Sequence, residues 1–334
     1  MKKTLLALAV VAAGSANAGI NLYDANGVKV DLSGAAEVQY REDYNPFKDA
    51  ELRIDDADLA INTSIAISEQ LSAVAGTAFE YEGGDVRNDE LWAGFSSDFG
   101  TLTFGRQYMI SDDSGIGKDY ELGSESIDFV QTNGNEVIKY VYDNGTFYFG
   151  ASHDLDDSGK VVSDEGEVYQ DNDTRITDAR IGYRVAGLDA RVYYYKGDAV
   201  AADLFSKKGA VDLEGYNVEA EYGFGALGLA ASFGQVEYKD VNSSSKVRGN
   251  IYQIAADYTI DKTTFAIGYN NYDRRDEAGD NYAVYANVTQ QLHSNVKVYA
   301  EIGDTNVKFT EGKAPNTVTR SADFGYVAGM EVKF

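Results

Sequence analysis

The feature that most constrains the fold is a period of two in side-chain polarity, which runs through nearly the whole chain. Within 251–260 the apolar and polar residues fall on opposite faces, and 188–195, 296–303 and 323–334 behave in the same way. Such alternation is typical of β-strands with one apolar and one polar face. Only two prolines occur in 334 residues, which suits long strands because proline removes a ladder hydrogen bond. The sequence therefore predicts an all-β protein.

The connections between these strands alternate strictly between short and long. Seven short turns are predicted, at 68–70, 98–100, 143–145, 186–188, 223–226, 261–263 and 293–295. Eight longer polar segments are predicted, at about 42–50, 82–88, 109–135, 156–174, 199–212, 240–248, 275–280 and 305–320. This spacing gives about sixteen strands, with one rim of short turns and one of long loops. That layout is typical of outer-membrane barrels, whereas a soluble sandwich gives no reason for it.

The chain lacks an apolar segment suited to a membrane helix. Beyond the N-terminus, no apolar run approaches the ~20 residues that a spanning helix requires. A chain of this pattern therefore crosses a membrane only as a closed antiparallel barrel, since lipid cannot satisfy unpaired backbone groups. Apolar faces would then contact lipid, polar faces would line an aqueous lumen, and Trp92 with many tyrosines would form the interfacial aromatic girdles.

The N-terminus predicts export. Met1-Lys2-Lys3 is basic, 4–13 is mostly apolar, and Ala16-Asn17-Ala18 is a small-residue cleavage site. We predict a cleaved signal peptide at 1–18 and a single transmembrane barrel domain at 19–334. The expected destination is the outer membrane, reached through the periplasm.

Composition excludes several classes of function. The formal net charge of −25 argues against nucleic-acid binding, which needs basic surface. There are no cysteines, so disulfides and thiol chemistry are excluded. His153 and His293 lie in separate connections, and no nucleophile elbow, P-loop or zinc signature is present. We therefore expect no enzymatic activity.

One acidic segment matches most of a calcium-binding loop. Its candidate ligands are Asp154, Asp156, Ser158, Lys160 and Glu165. Calcium prefers oxygen ligands at such spacings. The flanks predict strand and loop instead of helix, so a plain solvated acidic loop is the alternative. No other cofactor is predicted.

Three segments carry a resemblance to a known family. They are Val30-Asp31-Leu32-Ser33-Gly34, Phe79-Glu80-Tyr81 and Phe104-Gly105-Arg106-Gln107-Tyr108. Together they resemble the trimeric general porins of Gram-negative bacteria, and most closely the vibrio-type OmpT and OmpL branch. The resemblance implies a homotrimer of sixteen-stranded barrels with short periplasmic turns, long extracellular loops and a third loop folded into the pore. The terminal alternation that ends on Phe334 resembles the signal read by the barrel assembly machinery.

The resemblance also implies where the pore is narrowest. The third loop here supplies the constriction candidates Asp112, Asp113, Lys118, Asp119 and Glu121. The candidates on the pore wall are Arg41, Asp56, Asp58, Glu80, Arg87, Asp89 and Lys139. The family's basic wall positions fall on Ala35, Asp58 and Asp89. Arg106 is expected to contact Glu82 or Asp85 of a neighbouring subunit.

The predicted function is passive diffusion of small hydrophilic solutes and ions through a water-filled channel that prefers cations. A structural or adhesive barrel and a substrate-specific channel are the alternatives. The expected partners are further copies of the chain, outer-membrane lipid and lipopolysaccharide.

Overall fold

The computed structural model of the chain describes residues 19–82, 85–124, 126–127, 129, 131–157, 174–204, 207–275, 280–312 and 317–334. The predicted signal peptide lies outside these ranges. Within them, no helix has both the length and the apolar character to cross a membrane.

Most of the described residues belong to antiparallel strands. The strands are β1 (Ile20–Ala25), β2 (Val28–Glu42), β3 (Glu51–Ala66), β4 (Leu71–Glu80), β5 (Arg87–Ser97), β6 (Gly100–Tyr108), β7 (Asn133–Asp143), β8 (Phe147–Asp157), β9 (Thr174–Val185), β10 (Leu188–Leu204), β11 (Lys207–Phe224), β12 (Leu227–Asp240), β13 (Lys246–Ile260), β14 (Thr263–Arg274), β15 (Asn281–His293), β16 (Val296–Thr305), β17 (Lys308–Glu311), β18 (Val318–Ser321) and β19 (Gly325–Lys333). From β2 to β16 each strand pairs with the next. β19 pairs with both β16 and β2, which closes the barrel.

The two chain ends share one strand position beside β2. β1 pairs with the first part of β2, and β19 pairs with the second part. Between them the backbones of Phe334 and Gly34 exchange two hydrogen bonds. The seventeen segments of the sheet therefore form a closed sixteen-stranded barrel, which confirms the predicted fold class.

The polarity of the strands is sorted as the period of two predicts. Outward residues such as Val38, Ile254 and Met330 are exposed to the surroundings, which in the outer membrane are lipid. Inward residues on the same strands are polar, for example Gln39 and Gln253, which are both 1 % exposed. A closed barrel leaves no unpaired sheet edge in the membrane.

All seven predicted short turns connect consecutive strands. In the β7–β8 turn, the Asn144 side chain accepts hydrogen bonds from the Thr146 and Phe147 amides, and Gly145 has a φ of 85°. An eighth turn, at Asn26 and Gly27, was not predicted. It joins β1 to β2 with positive φ at both residues, as tight hairpins require.

The prediction of a long loop at 199–212 is wrong. β10 and β11 continue through it and are paired from Val200↔Val211 to Leu204↔Lys207. Val200, Val211 and Leu213 pack in an interior cluster. This apolar packing stabilises the strands in a segment whose charged residues suggested a loop. The predicted 305–320 loop likewise contains the β17–β18 hairpin.

Candidate functional site

The described residues of the third loop, between 109 and 132, lie inside the barrel. The loop leaves β6 and opens with a short 3₁₀ helix, Ile110–Asp113, that packs near β8 and β9. Farther along, its side chains and backbone contact β10, β11, β14, β15 and β16 before Glu121 reaches β2 and β3. The loop therefore covers a large part of the inner wall.

Three buried carboxylates on the wall hold the backbone of this loop. Asp178 accepts a hydrogen bond from the Ser111 amide at 2.7 Å, and Glu219 accepts one from the Gly115 amide. Glu301 accepts from the amides of 120, 121 and 122, at 2.7 to 2.8 Å. Each carboxylate is 1 % exposed. Hydrogen bonds to an ionised acceptor are about twice as strong as neutral ones, so these contacts fix the loop's path.

Inward tyrosines provide a second set of anchors. The Tyr193 hydroxyl donates to the Asp113 carbonyl at 3.1 Å, and the Tyr285 hydroxyl accepts from the Lys118 amide at 2.8 Å. Tyr299 stacks on Tyr120 of the loop with ring centroids 3.5 Å apart. The period of two places these tyrosines in the lumen, but their partners lie far away in sequence, so their anchoring role was not predicted.

The structure separates the five predicted constriction residues into two groups. Asp113, Lys118 and Glu121 form ion pairs with the barrel wall. Asp113 pairs with Arg180 of β9, Lys118 pairs with Glu221 of β11 at 2.7 Å, and Glu121 contacts β2 and β3. Asp112 and Asp119 instead bond within the loop: Thr132 donates to Asp112, and the Gly123 amide donates to Asp119. Burial raises the pKa of both Asp112 and Asp119.

Glu121 joins the third loop to the wall formed by β2 and β3. Its carboxylate lies 2.6 Å from the guanidinium of Arg41 and 2.9 Å from that of Arg53. Gln39 donates to the same carboxylate at 3.0 Å and to Asp55 at 2.7 Å. An acid on the loop thus faces two bases on β2 and β3.

Arg53 and Asp55 were missed by the sequence analysis because a β-bulge changes the parity of β3. Glu37 is opposite Asp56, but the next residue of β2, Val38, is opposite Ile54. Asp55 is the extra residue, so Arg53, Asp55 and Asp56 all turn inward. A signal was present: outward apolar residues occupy even positions up to Ile54 and odd positions from 57 onward. Such a switch marks a bulge.

An acidic cluster lies on the inner wall beside this constriction. Carboxylate oxygens of Asp56, Asp58 and Glu82 lie within 4.8 Å of one another, and Asp58 and Glu82 are exposed. Glu80 pairs with Arg87 at 3.7 Å. The remaining predicted wall acid, Asp89, accepts a hydrogen bond from Tyr108.

The assignment of Trp92 to an aromatic girdle is wrong. A second bulge, at Asp89, sets the inward face of β5 at Glu90 and Trp92. The Trp92 indole donates to Glu90 at 2.9 Å, and its ring covers Gly76, where any Cβ would overlap it. The only tryptophan of the chain therefore lies in the lumen.

Two further predicted sites have contacts within the chain. Arg106 is exposed on the outer face and donates to Asn88 and Asn135. Glu82 lies in the acidic cluster, and Asp85 is exposed. No partner chain tests the predicted contact between subunits, which stays a prediction.

The predicted calcium loop lies mainly outside the described residues, which include none of Ser158, Lys160 and Glu165. The backbone of Asp156 lies in β8. Asp154 is buried on the inner face of β8, where its carboxylate accepts from the Glu136 amide at 3.2 Å. Calcium binding stays a prediction.

Replacing Glu301 by alanine is expected to loosen the third loop. Three amides would lose their acceptor, and each unsatisfied buried donor costs about 1–3 kcal/mol. The variant should lose its folded electrophoretic mobility at a lower temperature than the parent, and added protease should cleave its loop faster. Glu69→Ala, in an exposed periplasmic turn, is the control. Equal protection in both variants would contradict an anchoring role.

Comparisons with known proteins agree on one family. The family model for Gram-negative porins matches residues 4–310. The chain is 51 % identical to a porin-like protein H of Photobacterium profundum over the full length of both. Its fold matches the trimer form of OmpT of Vibrio cholerae with a TM-score of 0.70, 17 % identity and coverage of 92 % of this chain and 100 % of that one. An anion-selective porin from Comamonas acidovorans matches with a TM-score of 0.71, 17 % identity and the same coverages.

Proposed function

This chain belongs to the Gram-negative porin family, and we propose that in the outer membrane it forms a water-filled, cation-preferring channel for small hydrophilic solutes and ions. The observation that supports this most directly is the exposure of carboxylates on the inner wall. Asp58 faces the lumen and is nevertheless exposed, as is Glu82 beside it. Inward carboxylates that stay accessible need water inside the barrel, since burying an unpaired charge is very costly.

The preference for cations follows from the sign of the wall charges. The lumen-facing acids on β3, β4 and β5 include Glu51, Asp55, Asp56, Asp58, Glu80 and Glu90. The cations there are Arg53 and Arg87, and each pairs with an acid. A low-dielectric wall of one sign concentrates counter-ions. Because the fold also matches that of an anion-selective porin, the fold alone does not decide whether a channel prefers cations or anions. The charges of the side chains in the lumen must decide it.

A homotrimer is part of the proposal. It is supported by the family and by the fold match to a trimer form. The exposed Arg106 on the outer face is the residue expected to meet an acid of the neighbouring subunit.

Planar-bilayer recording across a salt gradient tests the channel. The wild type should conduct, close in three steps and show a reversal potential on the cation side. The preference should weaken as salt rises, because dissolved ions screen the potential of the wall charges, which decays over about 10 Å at 0.1 M salt and over shorter distances at higher salt. Changing Asp56→Asn together with Asp58→Asn should reduce it, and Asp98→Asn, in an exposed turn, should not. Absence of conductance would contradict the channel, and chloride preference in the wild type would contradict the assigned selectivity.

A further inference from the structure

A recess of about 130 Å³ lies in the lumen wall between β5, β6 and β7. Its lining includes Glu90, Trp92, Thr101, Thr103, Gln107 and Lys139. The volume corresponds to roughly four water molecules at ~30 Å³ each, enough for a small organic molecule or one end of a larger one. Among the described residues, the hydrogen bonds and ion pairs that join the third loop to the wall fall on β8 to β11, β14 to β16, β2 and β3, and none of them involves a side chain that lines this recess.

The recess holds an acid and a base that do not pair with each other. The Lys139 ammonium donates to the Tyr108 carbonyl at 2.9 Å and has no ion pair among the described residues. One Glu90 oxygen accepts from the Trp92 indole. Glu90 lines the same recess as Lys139, and the carboxylates of Asp178, Asp113 and Asp112 lie in its wider surroundings. Two opposite charges therefore share one small space without contact.

We propose that this recess binds a small zwitterion of the α-amino-acid class. The ligand carboxylate contacts Lys139, its ammonium contacts Glu90, and its α- and β-carbons lie on the indole ring of Trp92. This inference rests on the proposed channel function, because the ligand reaches the recess only through a hydrated lumen.

The charges of the recess discriminate between ligand classes. A simple anion can pair with Lys139 but is repelled by the carboxylate of Glu90. A simple cation can pair with Glu90 but is repelled by the ammonium of Lys139. A neutral sugar offers neither Lys139 nor Glu90 an ion-pair partner. A zwitterion satisfies both groups and carries no net charge, so the acidic wall does not oppose its passage. A solute that passes through a channel must also dissociate from it, so we expect a dissociation constant of about 1 mM.

Trp92 allows ligand binding to be followed by fluorescence, because it is the only tryptophan in the chain and it lines the recess. Purified folded protein is titrated with L-serine while indole emission and binding heat are recorded. Saturable binding at millimolar concentration is expected. L-Serine methyl ester lacks the anion and N-acetyl-L-serine lacks the cation, so each should bind roughly tenfold more weakly, since each loses one charge-assisted contact.

Two substitutions test the assigned contacts. Lys139→Gln and Glu90→Gln should each weaken L-serine binding roughly tenfold, while Lys262→Gln, in an exposed turn, should leave it unchanged. Heat-modifiable mobility shows which variants are folded. Absence of saturable emission change and heat with L-serine, or equal binding by folded variants and wild type, would overturn the proposal. A wild type that conducts salt but does not bind L-serine refutes only this site, and one that binds but does not conduct refutes the channel.

Discussion

Deleting residues 117–123 from the third loop is expected to raise single-channel conductance severalfold. This segment carries Lys118, Tyr120 and Glu121 from the wall of β11 across to β2 and β3. Conductance grows with open cross-section, so removing the segment should widen the narrowest part of the lumen. The effect should be the largest produced by any short deletion in this chain.

The shortened loop can still close, because its ends are adjacent. Tyr108 is paired with Asn133, and the Met109 amide donates to the Thr132 carbonyl at 2.7 Å. Loop-closure entropy changes slowly with length, so the barrel should tolerate the deletion. Removing 243–244 from the exposed loop between β12 and β13 is the control for a loop deletion away from the lumen and should leave conductance unchanged. If both deletions conduct like the wild type, the third loop is not the constriction.

Replacing Arg41 and Arg53 by glutamine is expected to increase the preference for cations strongly. These two guanidiniums neutralise Glu121 at the constriction, with Asp55 close by. Without them the narrowest section carries only negative charge. The cation-to-anion permeability ratio should rise roughly tenfold, at the lower end of the enrichment that a cleft of one sign produces. Reversal potentials across a salt gradient measure it.

Cations at the rim provide the comparison. The side chains of Lys48 and Arg248 are 68 % and 52 % exposed, so solvent screens their charges. Changing both to glutamine removes the same formal charge and should shift the reversal potential far less. A double Arg41 and Arg53 variant that matches this control, or that moves toward anions, would show that Glu121 and its partners do not control permeation.

The sequence by itself determined the barrel. Alternation of apolar and polar residues, the absence of a spanning helix and the succession of short and long connections led to sixteen strands, and the structure has them. The same alternation, in 188–195 and 296–303, puts Tyr193 and Tyr299 on the polar faces of their strands, and both side chains are buried inside the barrel. These features are local, because strand polarity repeats every two residues and turns are encoded by a few adjacent residues.

Only the tertiary structure decided which side chains line the lumen and where the third loop runs. Two bulges, at Asp55 and Asp89, shift the parity of β3 and β5 and bring Arg53 and Trp92 inward. The path of the third loop depends on carboxylates far away in sequence, such as Glu301, which is 180 residues from the Glu121 amide that it binds. A one-residue change of register reverses every side chain beyond it. Contacts between the third loop and wall residues far away in sequence produce no periodic pattern in the sequence. For these reasons the barrel was predictable, and the contacts at its constriction were not.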